Sequence, residues 1–230
     1  MYATIRKYQP NAIIVNNTGL SARGEVGNPE IDSVTFEQGR PTPMDREGHK
    51  KYVAAEMCYT LNDHWGIGEN DFNYKSPAQL IETLCACRRV GANLLLNIGP
   101  TAQGGVDPFQ RELMNLICKW VSLYGEAIYD GKPHRATCGN EKNFVLKSDG
   151  YLYFFIHDLG RGGNANVTVD GEYNSDYVFH GVAEEIESVQ WMDNGENLAF
   201  EQKDDVFSLD ATGYIYGMST CVRVAKAKIK

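Results

Sequence analysis

The chain has 230 residues, 43% of them hydrophobic, and a formal net charge of −8 at pH 7. This length suffices for one large domain or two small ones. The acidic balance argues against a nucleic-acid partner, because phosphates require a basic surface, and the apolar runs are too short to span a membrane.

The first 130 residues alternate signals for strands and helices. Residues 12–16 (AIIVN) form a short apolar run, and residues 50–61 contain a second strand after a long polar loop. Ser76 and Asp107 each stand immediately before a proline, which suits the start of a helix. These signals predict helices over 76–90 and 108–124. Their predicted inner faces, at helical spacing, are Leu80, Ile81, Leu84 and Cys87, and Leu113, Leu116, Ile117, Trp120 and Val121.

Residues 91–100 (GANLLLNIGP) lie between these helices and form an apolar strand framed by turn residues. Such a run is typical of a parallel strand buried on both faces. The succession of strands and helices predicts a parallel α/β unit. A closed barrel of this type needs eight strands and about 250 residues. We therefore expect an open part of a barrel that pairs with another copy or fragment, or a smaller open sheet.

After about residue 131 the pattern changes to short apolar segments between turn residues such as Asp149-Gly150 and Asn194-Gly195. Regularly spaced short strands with such turns predict an antiparallel β-sandwich. The predicted strands are residues 144–146, 151–156, 165–169, 186–191, 198–201, 206–209 and 221–225. The sequence thus predicts two domains, an α/β domain over 1–130 and an all-β domain over 131–230.

The six cysteines show neither the spacing of a zinc site nor that of a disulfide framework. Cys58, Cys85, Cys87 and Cys118 stand among apolar neighbours, which predicts buried free thiols. The glycine-rich segments 99–105 and 160–163 lack the lysine and hydroxyl residue of phosphate-binding loops. We therefore expect no metal and no cofactor.

Several segments, in order along the chain, resemble the α-L-fucosidases, glycoside hydrolase family 29. In the first half they are residues 8–17 (YQPNAIIVNN), 56–66 (EMCYTLNDHWG), 75–81 (KSPAQLI), 91–100 and 120–129 (WVSLYGEAIY). In the second half, residues 152–159, 191–195 and 213–217 are similar to the family's C-terminal sandwich. The resemblance implies a partial (β/α) barrel of the TIM type followed by an antiparallel β-sandwich. It also implies retaining hydrolysis of α-L-fucose from fucosylated glycans, with an Asp nucleophile and a Glu acid/base.

The resemblance places the acid/base at Glu37, at the end of the segment 32–37 (DSVTFE). Such a residue protonates the departing oxygen and then takes a proton from water. Glu30, seven residues earlier in the same loop, is the rival. In the family the nucleophile's strand precedes the position of Tyr8, so we expect this chain to supply one of the two carboxylates that retaining chemistry needs. Asp32 and Asp63 are expected to be loop residues rather than substitute nucleophiles.

Three further residues complete the predicted site. Trp65 follows a predicted strand end, where its ring can stack on the apolar face and methyl group of fucose; a core tryptophan is the alternative. His64 is expected to bind either a sugar hydroxyl or, preferably, a loop carbonyl. Arg23 stands near the place of a family arginine that binds sugar hydroxyls, and a surface arginine is the alternative.

These inferences lead to two hypotheses of function and one of assembly. The chain is either the acid/base part of an α-L-fucosidase, completed by an N-terminal fragment, or a non-catalytic carbohydrate-binding protein that keeps Trp65. Exposed strands also predict a homo-oligomer, for which a twofold dimer is the usual closure. Neither a nucleic acid nor a membrane is expected as a partner.

Overall fold

The computed structural model describes residues 1–44, 48–159, 174–213 and 221–230, and the contacts divide the chain into two compact units. Unit 1 comprises Met1–Ser76 and Ala86–Glu112, and unit 2 comprises Pro77–Cys85 and Leu113–Lys230. Among the described residues, no helix is both long enough and apolar enough to cross a bilayer.

Unit 1 contains a parallel sheet of four strands in the order β1-β2-β3-β4. The strands are β1 (Val15–Asn16), β2 (Ser33–Thr35), β3 (Ala54–Thr60) and β4 (Asn93–Asn97). Helix α1 (Tyr2–Tyr8) belongs to unit 1, whereas α2 (Pro77–Arg89) and α3 (Pro108–Asp130) each have residues in both units. The sequence correctly predicts β3, β4 and the starts of α2 and α3. Asp107 caps α3, because its Oδ1 accepts hydrogen bonds from the backbone N–H groups of Phe109 (2.9 Å) and Gln110 (3.2 Å).

The two faces of this sheet differ in burial. The face that packs in the hydrophobic core of unit 1, here called the core face, carries Val34, Ala55 and Met57. The opposite face, here called the open face, carries the alternate residues of each strand, including Cys58 and Leu95, which are paired in register. Leu95 is 44% exposed. The prediction that the strand over 91–100 is buried on both faces is therefore wrong, because its central leucine lies on the open face.

Other local differences have simple causes. The sequence does not predict α1 or the three-residue β2, which forms inside the long polar loop. Of the apolar run 12–16 only Val15–Asn16 pairs as a strand, and Ile13 is 76% exposed. Leu116 (46% exposed) and Cys118 are exposed, although the sequence predicts that both are buried. Both lie beside the buried stripe of α3, which contains Leu113, Ile117, Trp120 and Tyr124.

Unit 2 contains two antiparallel sheets around one core, as the sequence predicts for the second half. Its strands are β5 (Lys132–Pro133), β6 (Thr137–Cys138), β7 (Phe144–Ser148), β8 (Tyr151–His157), β9 (Asn174–His180), β10 (Ile186–Trp191), β11 (Phe200–Lys203), β12 (Val206–Thr212) and β13 (Val222–Ile229). One sheet has the order β10-β13-β8-β7-β5 and the other β11-β12-β9-β6. Phe154 of the first sheet packs on Phe179 and Phe207 of the second, with ring centroids 4.9 and 4.8 Å apart. The predicted strand over 165–169 lies outside the described residues.

Candidate functional site

The carboxyl ends of the four parallel strands lie at one edge of the sheet, which is where active sites lie in parallel α/β barrels. Asn17 follows β1 and Glu37 follows β2, while the segment 61–73 follows β3 and Gly99 follows β4. Two of the predicted site residues, His64 and Trp65, belong to the segment after β3. The fold therefore positions Glu37, His64 and Trp65 on the connections that leave this edge from neighbouring strands.

The main chain on both sides of Glu37 is bonded to β3. The N–H of Phe36 donates to the carbonyl of Glu56 (2.8 Å), and the N–H of Gln38 donates to the carbonyl of Cys58 (2.9 Å). Phe36 is 4% exposed and packs in the core of unit 1. Because side chains alternate along an extended strand, Glu37 is directed to the open face.

The Glu37 carboxylate has one hydrogen-bond partner that the sequence did not single out. Asn17 Nδ2 donates to Glu37 Oε2 at 3.1 Å, while Asn17 Oδ1 accepts from the N–H of Gly19 at 3.1 Å. The second bond fixes the orientation of the amide, so that its NH₂ group faces the carboxylate. An asparagine two residues before a glycine is a known turn signal, and it was the available clue to Asn17.

Arg23 is an exposed, surface arginine, as the alternative interpretation expects, and it also contacts Glu37. Its Nε donates to the backbone carbonyl of Glu37 at 2.5 Å. The next residue, Gly24, has a φ of +79° and its N–H donates to the carbonyl of Thr35 at 3.1 Å. A Cβ at Gly24 would overlap the ring of Phe36. Glycine at this position therefore lets the loop approach β2 closely enough for Arg23 to reach Glu37.

Glu30 and Asp32 lie before β2 begins, at the opposite edge of the sheet. Asp32 pairs with Lys51 Nζ (2.7 Å) and Arg6 Nη2 (2.8 Å), and Glu30 pairs with Arg6 Nε (3.3 Å). Hydrogen bonds from Lys51, from the backbone N–H of Ile14 and from Arg6 hold the pKa of Asp32 far below its usual range. These carboxylates are engaged in ion pairs at the amino edge. A cavity of about 340 Å³ also lies at that edge, against Lys51.

His64 binds a carboxylate and not the loop carbonyl that the sequence favoured. Its Nδ1 lies 2.7 Å from Asp71 Oδ2. Asp71, whose side chain is 1% exposed, also accepts hydrogen bonds from the backbone N–H groups of Asn73 (2.9 Å) and Asp63 (3.2 Å). The bond to His64, followed by that to Asn73, lowers the pKa of Asp71. Asp71 thereby organises the segment after β3 and orients His64.

Trp65 is 45% exposed, so it is not the core tryptophan of the alternative interpretation. Its carbonyl accepts a hydrogen bond from Asn97 Nδ2 at 2.7 Å, which ties the segment after β3 to the end of β4. Gly99 passes so close that a Cβ there would lie 2.5 Å from the carbonyl carbon of Gly66. The indole is therefore presented by a backbone that β4 supports.

The predicted site residues fall into two groups. Glu37 and Arg23 are bonded to each other, whereas His64 and Trp65 are held by Asp71 and Asn97. Within the described part of the chain, no hydrogen bond or ion pair joins Glu37 to His64 or Trp65. The same described residues contain no cluster of three or more His, Cys, Asp or Glu side chains that could hold a metal ion.

The model of the α-L-fucosidase family matches residues 1–126 of this chain. Among curated proteins, the tissue α-L-fucosidase of Mus musculus is 36% identical over 112 residues, which cover 47% of this chain and 24% of that protein. The tissue α-L-fucosidase of Rattus norvegicus is 39% identical over 109 residues, 44% of this chain and 23% of that protein. The matched part of the chain, a little under half of it, thus spans about a quarter of the length of these curated relatives.

Solved structures of α-L-fucosidases share the fold along nearly the whole chain. Isoenzyme 1 from Paenibacillus thiaminolyticus superposes with a TM-score of 0.75 at 22% identity, covering 100% of this chain and 52% of that one. The Thermotoga maritima enzyme gives a TM-score of 0.68 at 18% identity, with 98% and 47% covered. A trapped covalent intermediate of a Bacteroides thetaiotaomicron enzyme, in complex with 2-fluoro-fucosyl fluoride, gives 0.63 at 17% identity, with 85% and 43% covered.

Proposed function

Since the chain belongs to the α-L-fucosidase family, a glycoside hydrolase family, we propose that it carries the acid/base part of a retaining α-L-fucosidase site. In this proposal Glu37 protonates the glycosidic oxygen as α-L-fucose leaves, and then deprotonates the water that releases the sugar. The observation that carries it is the placement of Glu37. This carboxylate lies at the carboxyl edge of a parallel sheet, directed to the open face and held by Asn17.

The hydrogen bonds around Glu37 support a role that requires a defined position. The bonds of Phe36 and Gln38 to β3 fix the main chain, and Arg23 holds the carbonyl between them. The Asn17 amide donates to the carboxylate and thereby orients it. Glu30 is the weaker candidate, because Arg6 pairs with it at the opposite edge.

The nucleophile is proposed to come from outside this chain. Retaining chemistry places two carboxyl groups roughly 5–5.5 Å apart. Asp32 is a poor candidate, because it precedes β2 and two cations neutralise it. Covalent trapping of the Bacteroides thetaiotaomicron relative with 2-fluoro-fucosyl fluoride supports a covalent route for this family. In this proposal the second carboxylate is an Asp supplied by further strands of the barrel.

The substrate is proposed to be a terminal α-L-fucose of a glycan. Trp65 offers its half-exposed ring to the apolar face of the sugar. Because Asp71 accepts a hydrogen bond from the Nδ1–H of His64, Nε2 is the ring nitrogen that is left to contact a sugar hydroxyl. Arg23 is assigned here to holding the Glu37 main chain, and its remaining guanidinium N–H groups are available to a substrate oxygen.

The four-stranded sheet is proposed to be part of a (β/α) barrel, within a domain over 1–130 that precedes a sandwich domain over 131–230. Two arrangements would complete the barrel: an N-terminal fragment carrying the remaining strands, or a second copy of the chain in a homo-oligomer. The first is favoured, because the Paenibacillus thiaminolyticus enzyme is nearly twice as long as this chain, which covers 52% of it.

Hydrolysis of an aryl α-L-fucoside tests the proposal. We would assay the chain alone and after co-expression with the N-terminal half of the barrel of a family member, and measure its mass in solution. Replacing Glu37 by Ala should lower kcat/KM by about 10²–10⁴-fold, and azide should restore turnover by forming fucosyl azide with retained configuration. The matched control is Glu30→Ala, which should leave activity nearly unchanged.

Two outcomes would contradict the proposal. If neither preparation hydrolyses the fucoside, while calorimetry detects fucose binding that Trp65→Ala abolishes, the chain is a sugar-binding protein and not part of an enzyme. If the co-expressed preparation hydrolyses it but Glu30→Ala is the inactive variant that azide rescues, then Glu30 and not Glu37 is the acid/base.

A further inference from the structure

The residue immediately after Glu37 has an unusual backbone conformation. Gln38 has a φ of +52°, in the left-handed region that residues with a Cβ rarely adopt. Its N–H still donates to the carbonyl of Cys58 in β3. The chain turns at Glu37 and Gln38, immediately after this part of the sheet. Such a conformation persists only where the surrounding structure holds it, and it is enriched at functional sites.

A buried hydroxyl group holds the side chain of Gln38. Thr60, the last residue of β3, is 1% exposed. Its Oγ1 lies 2.5 Å from the carbonyl of Asn62, to which it donates its single proton. The hydroxyl oxygen then has two lone pairs left as acceptors. One accepts a hydrogen bond from Gln38 Nε2 at 3.1 Å and the other from Lys75 Nζ at 3.3 Å. The proton and both lone pairs of the Thr60 hydroxyl are therefore used.

Lys75 completes this arrangement from the segment that precedes α2. Its Nζ donates to the carbonyl of Asn62 at 2.7 Å and lies 4.4 Å from the centroid of the Tyr59 ring. Burial lowers the pKa of Lys75, and the negative charges of Asp63 and Asp71 oppose that effect. Removing part of the hydration of the Lys75 ammonium group costs free energy, and the contacts with Asn62, Thr60 and Tyr59 offset that cost. We call Gln38, Thr60, Asn62 and Lys75 the Thr60 network.

We propose that Gln38 is a positioning residue for Glu37, held through the Thr60 network, so that the carboxyl group keeps the direction that proton transfer to the leaving group requires. This proposal rests on the role assigned to Glu37 above. Thr60, to which Lys75 donates, holds Gln38, the residue after Glu37, and among the described residues neither Thr60 nor Lys75 bonds to the carboxylate of Glu37. The network therefore sets the direction in which the main chain enters and leaves Glu37, while Asn17 acts on the carboxylate itself.

The distinctive consequence concerns the leaving group. A good leaving group departs with little protonation, whereas a poor one depends on a correctly directed acid. Loss of the anchor should therefore lower kcat/KM for phenyl α-L-fucoside much more than for 2-chloro-4-nitrophenyl α-L-fucoside. A merely structural defect would lower both by the same factor, because it would reduce the amount of folded enzyme.

The experiment uses the chain co-expressed with the N-terminal half of the barrel of a family member, and compares four variants. Gln38→Gly permits the turn but removes the anchor, and Thr60→Val removes the hydroxyl with little change in shape. We expect each to lower kcat/KM on the phenyl substrate about tenfold or more, and on the chloronitrophenyl substrate about threefold or less, as for partial loss of general acid catalysis. Thr60→Ser keeps the hydroxyl and should retain the parental ratio, and Glu37→Ala should show the largest change in ratio.

The outcomes separate this proposal from the function on which it rests. If Glu37→Ala changes the ratio of the two substrates but Gln38→Gly and Thr60→Val do not, the positioning role is refuted and the acid/base role stands. If Glu37→Ala leaves the ratio of the two substrates unchanged, both the acid/base role of Glu37 and the positioning role of Gln38 are refuted. Should Thr60→Val fail to fold, Gln38→Gly decides alone, because glycine accepts this φ without strain.

Discussion

Adding one carbon atom at Gly99 should disturb the segment that carries Trp65. A Cβ there would lie 2.5 Å from the carbonyl carbon of Gly66 and 2.8 Å from the N of Ile67. Ordinary van der Waals contact begins near 3.4 Å, so the Gly66 carbon must retreat by about 0.9 Å. Both partners are backbone atoms, which cannot rotate away as a flexible side chain can. We therefore expect Gly99→Ala to destabilise the protein by about 1–3 kcal/mol, the usual cost of overpacking.

The matched control lies on the other side of the same contact. A Cβ at Gly66 meets nothing within 4 Å, and its φ is not in the left-handed region. Gly66→Ala should therefore leave both stability and sugar binding nearly unchanged. Thermal unfolding followed by circular dichroism measures the first, and KM on an aryl α-L-fucoside, or fucose binding by calorimetry, measures the second. If Gly99→Ala matches the parent in both measurements, the close approach of these two segments is wrong.

Three more predictions follow from single contacts. Trp65→Ala should weaken fucose binding about tenfold, or about 1.4 kcal/mol, because it removes the half-exposed ring that is proposed to stack on the sugar; calorimetry measures the affinity, and an unchanged value would exclude Trp65 from the site. Asp193→Ala should lower the urea-derived free energy of unfolding by about 3 kcal/mol, since it removes the carboxylate that lies 3.0 Å from the 3%-exposed side chain of Arg223; Lys142→Ala, in an exposed pair, should cost less than about 1 kcal/mol. Asp71 has a pKa lowered from 3.8 in the folded state, so its contribution to stability is present above that value and is lost as the pH falls below it; Asp71→Asn should flatten the acid limb of a plot of unfolding midpoint against pH, and an unchanged limb would contradict the assignment.

The elements with strong local signals could be predicted from the sequence. Helix α3 begins where Asp107 caps it, and an apolar stripe supports its length. Strand β2 gave no such signal, because it has three residues and exists only through pairing with β1 and β3, which lie far apart in the chain. Helix α1 was missed for a related reason: Met1 offers no side-chain cap and none of the helix residues is buried.

The candidate site divides in the same way between local and non-local information. Glu37 and Trp65 were proposed from short segments that resemble a family. The residues that hold them, Asn17, Thr60 and Asn97, contact them or their neighbours from other strands. Such contacts depend on which strands are adjacent and in which register they pair. Neither the strand order nor the register can be predicted from the local patterns of a single sequence. Asp71 is the intermediate case, seven residues from His64 within one loop.

The exposure of the open face bears on what completes the site. Its two edge strands carry apolar residues that are half exposed, Val15 of β1 at 51% and Leu95 of β4 at 44%. The inner strand β3 carries Cys58 and Glu56 on this face, and the Glu56 carboxylate accepts a hydrogen bond from Asn93 at 2.7 Å. Apolar edges around a polar centre are what a sheet needs when further strands continue it on both sides and curve over a polar interior. A flat partner covering the centre would bury Glu56 and gain little apolar contact there. The pattern therefore supports the proposed barrel, in which further strands pair at the two edges and the proposed nucleophile reaches the face on which Glu37 lies.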